Sequence, residues 1–183
     1  REAMHCGLRV FGENRVREAI DKWSSLKEHN IELHLIGHLQ SNKVKKAVAF
    51  FDMIESVDRM KTAEKINNYC KEIGKRMGVL AQVNIGGEET KYGIAPEALM
   101  DFVQQLTTLK NIDVRGLMAI APLVTPEETR PYFRKMKKLF DETQKIRTMG
   151  CLSMGMTNDF TVALEEGSNM VRLGRAIFGD YDG

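Results

Sequence analysis

Seven short apolar runs punctuate this chain and constrain its fold more than any other feature. They are Leu8–Phe11, Leu33–Ile36, Met53–Val57, Val79–Ile85, Val114–Ile120, Cys151–Met154 and Met170–Leu173. A run that is apolar on successive residues has no solvent face, which is the mark of a parallel strand covered on both sides. Between the runs the period changes to that of amphipathic helices. Val16, Ala19, Ile20, Trp23 and Leu26 share one helical face, as do Ala63, Ile66, Cys70 and Ile73; Leu99, Phe102, Val103 and Leu106; and Phe133, Met136, Phe140 and Thr143. Gly or Asn closes several runs, in Phe11-Gly12-Glu13-Asn14, Ile36-Gly37-His38 and Asn84-Ile85-Gly86-Gly87, where a strand end feeds a loop.

The result is about seven β/α units without a linker, a low-complexity stretch or a shift in composition, so residues 1–183 are expected to form a single domain. An open doubly wound sheet needs five or six strands and normally carries a Gly-rich turn near its start, whereas this number of units approaches the eight of a TIM-type (β/α)8 barrel. The barrel is the expected fold. The opening segment, Arg1 to Gly7, reads as the tail of a helix closed by glycine, which implies a first strand and most of a helix upstream of Arg1. Seven units plus that one make eight.

Charge excludes several classes of partner. Lys+Arg number 27 against 25 Asp+Glu, a net charge of +2 with both signs interspersed, so neither nucleic acid nor an anionic membrane is an expected partner. No apolar run approaches the roughly 18 residues of a spanning helix. The three cysteines, Cys6, Cys70 and Cys151, are scattered without metal-site spacing, which favours a reducing, cytoplasmic setting. A monomer is the default expectation.

In a barrel of this kind chemistry belongs to the C-terminal ends of the strands, and phosphate to the loops after the last two. Here those loops contain Ser153, Gly155 and Thr157, then Arg172, Gly174 and Arg175. The two glycines allow close backbone approach, the hydroxyls donate hydrogen bonds, and a helix starting near Arg175 offers free N–H groups to an anion. Asn14, His38 and Asn84 each follow a strand and would face the same mouth, either as a site or as ordinary turn and cap residues. His34, inside an apolar strand, is expected to be a packed core histidine. Lys43, Lys45 and Lys46 are expected on a solvated helix face capped by Ser41, and Lys91 in a loop, Glu88 to Gly93, over the mouth.

Four strings go further: Phe11-Gly12-Glu13-Asn14; His34-Leu35-Ile36-Gly37-His38-Leu39-Gln40-Ser41-Asn42-Lys43; Leu152-Ser153-Met154-Gly155-Met156-Thr157-Asn158-Asp159; and Val171-Arg172-Leu173-Gly174-Arg175-Ala176-Ile177-Phe178-Gly179. Together they resemble the signature blocks of the pyridoxal phosphate homeostasis proteins, the YggS/PROSC family. The resemblance implies a barrel like the N-terminal domain of alanine racemase, binding pyridoxal 5'-phosphate (PLP) at its mouth and managing cellular PLP, with PLP-dependent apoenzymes as possible recipients and no established turnover. It assigns the phosphate to Ser153, Thr157 and the backbone of Gly174 and Arg175, where the family more often has Ser at position 157. It sets Arg172 toward the pyridine nitrogen, lines the cofactor with Asn14 and Asn84, and gives Lys91 a weaker, outlying contact. The family's Schiff-base lysine ends a strand that would lie upstream of Arg1, and no visible run contains a lysine.

Two other functions compete. A PLP-dependent racemase would share the barrel and Arg172 but needs a tyrosine acid/base from a further β-domain. Tyr69 and Tyr132 fall on outer helices, Tyr92 and Tyr181 are poor substitutes, and the sequence runs out at Gly183. A phosphosugar-type barrel enzyme would need a carboxylate in the mouth, for which Glu13, Glu55, Asp58 and Asp159 are formal candidates.

Overall fold

The computed structural model describes residues 1–26, 30–88 and 90–179; Glu89 of the expected mouth loop and Tyr181 lie outside these. Seven parallel strands follow one another around a single sheet in the order of the chain: β1 (Val10–Glu13), β2 (Glu32–Leu35), β3 (Met53–Val57), β4 (Met77–Val83), β5 (Ile112–Ala119), β6 (Cys151–Met156) and β7 (Met170–Arg172). Each strand pairs with its chain neighbour, for example Val10 with Glu32 and Gly116 with Cys151. A doubly wound sheet reverses its order at a switch point; this one never does, which is the wall of a TIM-type barrel.

The helices lie where the 3.6-residue period puts them. After α1 (Glu2–His5) come α2 (Val16–Trp23), α3 (Val44–Phe50), α4 (Met60–Glu72), α5 (Leu99–Thr107), α6 (Pro126–Thr143), α7 (Phe160–Glu165) and α8 (Arg175–Phe178). Helix α1 ends in a glycine cap: Gly7 has φ +92°, its N–H bonds Met4 O, and the Leu8 N–H bonds Ala3 O. Helix α6 starts at Thr125, whose N–H and hydroxyl both donate to Glu128, with Pro126 in the first turn. Leu99, Phe102, Val103 and Leu106 of α5, with Phe133 and Met136 of α6, are buried as their spacing requires. Ile73, expected on the α4 face, is exposed because it caps the end of that helix.

One local expectation is corrected. Ser41 does not cap a helix: Ser41–Lys43 is a 3-10 turn, and α3 begins only at Val44, after Lys43. Lys45 does lie on the solvated face, within 3.7 Å of Glu72 and 5.2 Å from the Tyr69 ring centroid.

Alternation along the strands makes two cores. The larger joins the outward strand residues to the helices and includes Leu33, Leu35, Ile54, Val79, Leu117 and Leu152. The smaller, on the opposite face of the sheet, is Met53, Leu80 and Met118, with Cys151 and Met170 packed against it. Two residues further along β3, β4, β6 and β7, on that same inner face, stand Glu55, Gln82, Ser153 and Arg172, all buried. The barrel interior is thus thioether-rich below and polar toward the mouth.

The wall has no room for side chains where β5 meets β6, because a Cβ on Gly116 would collide with the Cys151 carbonyl. Gly116→Ala is expected to cost about 3 kcal/mol in denaturant unfolding. Gly150→Ala, where nothing lies within 4 Å of the new carbon, should stay within about 0.5 kcal/mol of the unmodified protein. Equal stability of the two variants would contradict this packing.

Candidate functional site

Burial is what makes the polar layer of the barrel chemically specific. Glu55 is 1% exposed and His34 2%, so a charge on either must be met inside the protein. Glu55 Oε1 lies 2.7 Å from His34 Nδ1, and Glu55 Oε2 accepts from Ser153 Oγ at 2.7 Å. Ser153 Oγ in turn accepts from the Arg172 guanidinium at 2.6 Å, and a second Arg172 nitrogen donates to Ala119 O at 2.8 Å. The chain His34–Glu55–Ser153–Arg172 therefore joins β2, β3, β6 and β7 through side chains 19 to 98 residues apart in sequence. On the far side His34 Nε2 lies 3.1 Å from Glu32 Oε1, close in distance but outside hydrogen-bonding geometry, and Arg115 lies 3.7 Å from the same carboxylate.

Burial by itself would lower the His34 pKa, but the hydrogen bond and charge of Glu55, reinforced by Glu32, outweigh it and hold the imidazole above its ordinary 6.5. For Arg172 burial dominates and pulls the guanidinium down, against the charges of Glu55 and Asp159. Burial, with the Glu55 charge behind it, pushes the Cys151 thiol up to about 12.

The mouth above this layer is made by strand-end loops. Thr157 and Arg175 tie the last two together: the Ala176 N–H lies 3.4 Å from Thr157 Oγ1, and the Arg175 guanidinium is 3.4 Å from Asn158 Oδ1. Gly174, the residue before α8, has nothing within 4 Å of where a side chain would start, so its backbone is open to an approaching group. Gly155, with φ +93°, is closed instead, packed beneath Phe160 and Ala163. Ser153 lies deeper than the mouth, fully buried, with its hydroxyl engaged by Glu55 and Arg172.

At the ends of β1 and β2, the Asn14 carbonyl lies against the Gly37 α-carbon so closely that any side chain at 37 would strike it. The Asn14 side chain is exposed. The His38 ring stacks on Tyr92 with centroids 3.7 Å apart and planes within 8°. Asn84 is spent on its own loop, donating to the carbonyls of Glu88 and Lys91, and Lys91 Nζ lies 2.6 Å from Glu88. The structure thus brings Thr157, Gly174, Arg175 and Arg172 together at the ends of β6 and β7 and Asn14 and the residue before His38 together at the ends of β1 and β2, while Asn84 and Lys91 shape the loop between strand β4 and helix α5. Among the described residues no strand contains a lysine, no group of His, Cys, Asp and Glu is arranged to hold a metal, and no helix is long and apolar enough to cross a membrane.

The carboxylates named for a sugar-phosphate enzyme are otherwise engaged. Glu13 accepts from Lys22 and Trp23, Asp58 from the Gly93 N–H, and Asp159 from the Met156 N–H. Glu55 belongs to the buried chain. Its role is the one that sequence reasoning missed; the available signal was a glutamate at the centre of the apolar run Met53–Val57, the same clue that marked His34.

The unbroken parallel order of the strands and the helices between them place the chain in the class of TIM-type barrels. The family model described as the alanine racemase N-terminal domain matches residues 1–182. A pyridoxal phosphate homeostasis protein of Aquifex aeolicus is 45% identical over 183 residues, covering 98% of this chain and 80% of that protein; one of Pasteurella multocida is 40% identical over 190 residues, covering 99% and 80%. PipY of Synechococcus elongatus, solved with PLP bound, superposes with a TM-score of 0.90 at 39% identity, covering 98% of this chain and 85% of that one. A Clostridium difficile alanine racemase shares the fold, with a TM-score of 0.76 at 19% identity over 95% of this chain and 48% of that one. The chain belongs to the alanine racemase N-terminal domain family and, within it, to the pyridoxal phosphate homeostasis proteins.

The raised His34 pKa fixes the sign of one pH effect. A group protonated more readily in the folded state contributes stability that is complete below its unfolded value of 6.5 and is lost as pH climbs through the folded value. Unfolding free energy is expected to fall over that window, and NMR titration should place His34 above 6.5. In Glu55→Gln the imidazole should titrate lower and the slope flatten; an unchanged His34 titration would refute the pairing.

Proposed function

We propose that this chain binds PLP at the barrel mouth and serves in intracellular PLP homeostasis without catalytic turnover, as a monomeric, cytoplasmic, one-domain protein that passes PLP to apoenzymes. The observation that carries the reading is Arg172, a buried arginine held by Ser153 and Ala119 O next to the loops of Thr157 and Gly174. The residues present suit the group. Gly174 offers open backbone, Thr157 a hydroxyl and the Arg175 turn its N–H groups for a phosphate, and in this reading Arg172 would meet the ring nitrogen. Asn14 and His38, at the ends of β1 and β2, would also line the cofactor, and Ser153 would contribute by holding Arg172.

When bound, PLP supplies an aldehyde and an electron-withdrawing ring. The protein's own part is restraint. A guanidinium remains charged and so opposes a proton on the ring nitrogen, which keeps the ring a weaker electron sink than a carboxylate partner would. Among the described residues the tyrosines offer little as a second acid or base: Tyr69 and Tyr132 pack against the helical core, and Tyr92 is stacked on His38.

Equilibrium dialysis of the purified protein should give saturable PLP binding, with pyridoxal lacking the phosphate bound at least tenfold more weakly. Thr157→Ala should lose about tenfold in PLP affinity, one charge-assisted hydrogen bond. Exchange of α-hydrogen on amino acids in heavy water should stay at the rate given by free PLP. Failure to bind PLP, or equal affinity for pyridoxal, would overturn the binding site; exchange well above free PLP would overturn the absence of turnover.

A further inference from the structure

We infer that Glu55 is a positioning residue for Arg172, acting through the Ser153 hydroxyl and itself held in place by His34, so that the group facing the cofactor ring is one end of a four-residue relay. The inference rests on the PLP-binding reading for its ligand but on the chain's own geometry for its mechanism.

Hydrogen-bond polarity settles the direction of the relay. A guanidinium only donates, so Ser153 Oγ must accept from Arg172. The serine hydroxyl hydrogen is then free for one acceptor, and Glu55 Oε2 is at 2.7 Å. Glu55 thereby fixes the serine rotor with its lone pairs toward Arg172. Were the carboxylate lost, the hydroxyl could turn and the arginine would keep only Ala119 O among these partners. The other carboxylate oxygen is held by His34 Nδ1 at 2.7 Å, which stops Glu55 from swinging toward Arg172 itself. Among the charges acting on the Arg172 guanidinium, which burial would otherwise penalise, that of Glu55 acts most strongly. Other charged groups around the relay are Glu32 beside His34, Arg115 beside Glu32, and Asp159, whose charge acts on Arg172. None of them touches Ser153.

The relay separates two ends of one ligand. Thr157 and Gly174 would govern the phosphate, while Glu55, Ser153 and Arg172 would govern discrimination at the ring nitrogen. A probe for the second end is PLP methylated at that nitrogen, which carries a permanent positive charge and is repelled by a fixed arginine.

The test uses the whole chain and two readouts. First, with no ligand present, hydrogen exchange of the Arg172 guanidinium is followed by NMR in the unmodified protein, Glu55→Leu, Ser153→Ala and Ser153→Thr. Exchange is expected to quicken at least tenfold in Glu55→Leu, which removes the acceptor of the serine hydroxyl, and in Ser153→Ala, and to be largely restored in Ser153→Thr, which keeps the hydroxyl. Second, the ratio of affinities for PLP and its N-methyl form is measured. It should fall at least fivefold in Glu55→Leu and Ser153→Ala but stay constant in Thr157→Ala, which weakens both ligands alike. Ser153→Ala leaves the His34–Glu55 pair intact, so it carries the test if Glu55→Leu fails to fold. Unchanged Arg172 exchange in a folded Ser153→Ala protein would overturn the relay, whether or not PLP binds. Quickened exchange in a protein that binds no PLP would uphold the relay and overturn only the ligand reading; quickened exchange with an unchanged ratio would overturn the claim that it acts at the ring nitrogen.

Discussion

The site of this protein depends on a carboxylate placed where water cannot reach it. An isolated glutamate inside a barrel would cost several kcal/mol in lost hydration. Here each Glu55 oxygen has a partner, His34 on one side and Ser153 on the other. The pairing does more than offset burial. It fixes a serine rotor, and the serine fixes an arginine, so the geometry at the mouth is set from within the barrel.

That dependence explains the layering of the interior. Below the polar layer lie Met53, Leu80, Met118 and Met170 with the Cys151 thiol, whose pKa burial pushes up to about 12, side chains that fill irregular space with little competition for hydrogen bonds. They keep water from the underside of Glu55, and the low polarity they create strengthens each hydrogen bond above. Removing one member of such a network does more damage than its own bond is worth, because its neighbours remain buried and unpaired.

The loops above obey a different economy. Gly174 leaves backbone exposed, and Thr157 and Arg175 touch their neighbours only at the limit of hydrogen bonding. The loop of Asn84 and Lys91 holds itself through Glu88. A desolvated floor under a rim tied by long hydrogen bonds suits the carrier role proposed above, in which the floor would orient the ligand and the rim would admit and release it. Membership of the pyridoxal phosphate homeostasis proteins accords with that division.

Much of this was legible in the chain. All seven apolar runs mark strands, and most of them are buried as a parallel strand covered on both sides should be; the first differs, since β1 spans Val10–Glu13 and leaves Leu8 and Val10 exposed. The glycine-closed tail at Gly7 and the helix faces followed from local backbone and periodicity. Ser41 misled because a short polar residue caps a helix only if the turn after it is α-helical, and here it is a 3-10 turn. The sequence by itself determined the strands, their order of appearance and the residues at their ends, since those depend on near neighbours along the chain. Only the tertiary structure decided that Glu55, in one strand, reaches Ser153 at 98 positions' distance, that Ser153 lies under the mouth instead of on it, and that Asn84 serves its own loop. Those outcomes rest on strand register and on which buried groups can satisfy one another, and hydrogen-bond partners across a barrel leave no periodic trace in the sequence that encodes them.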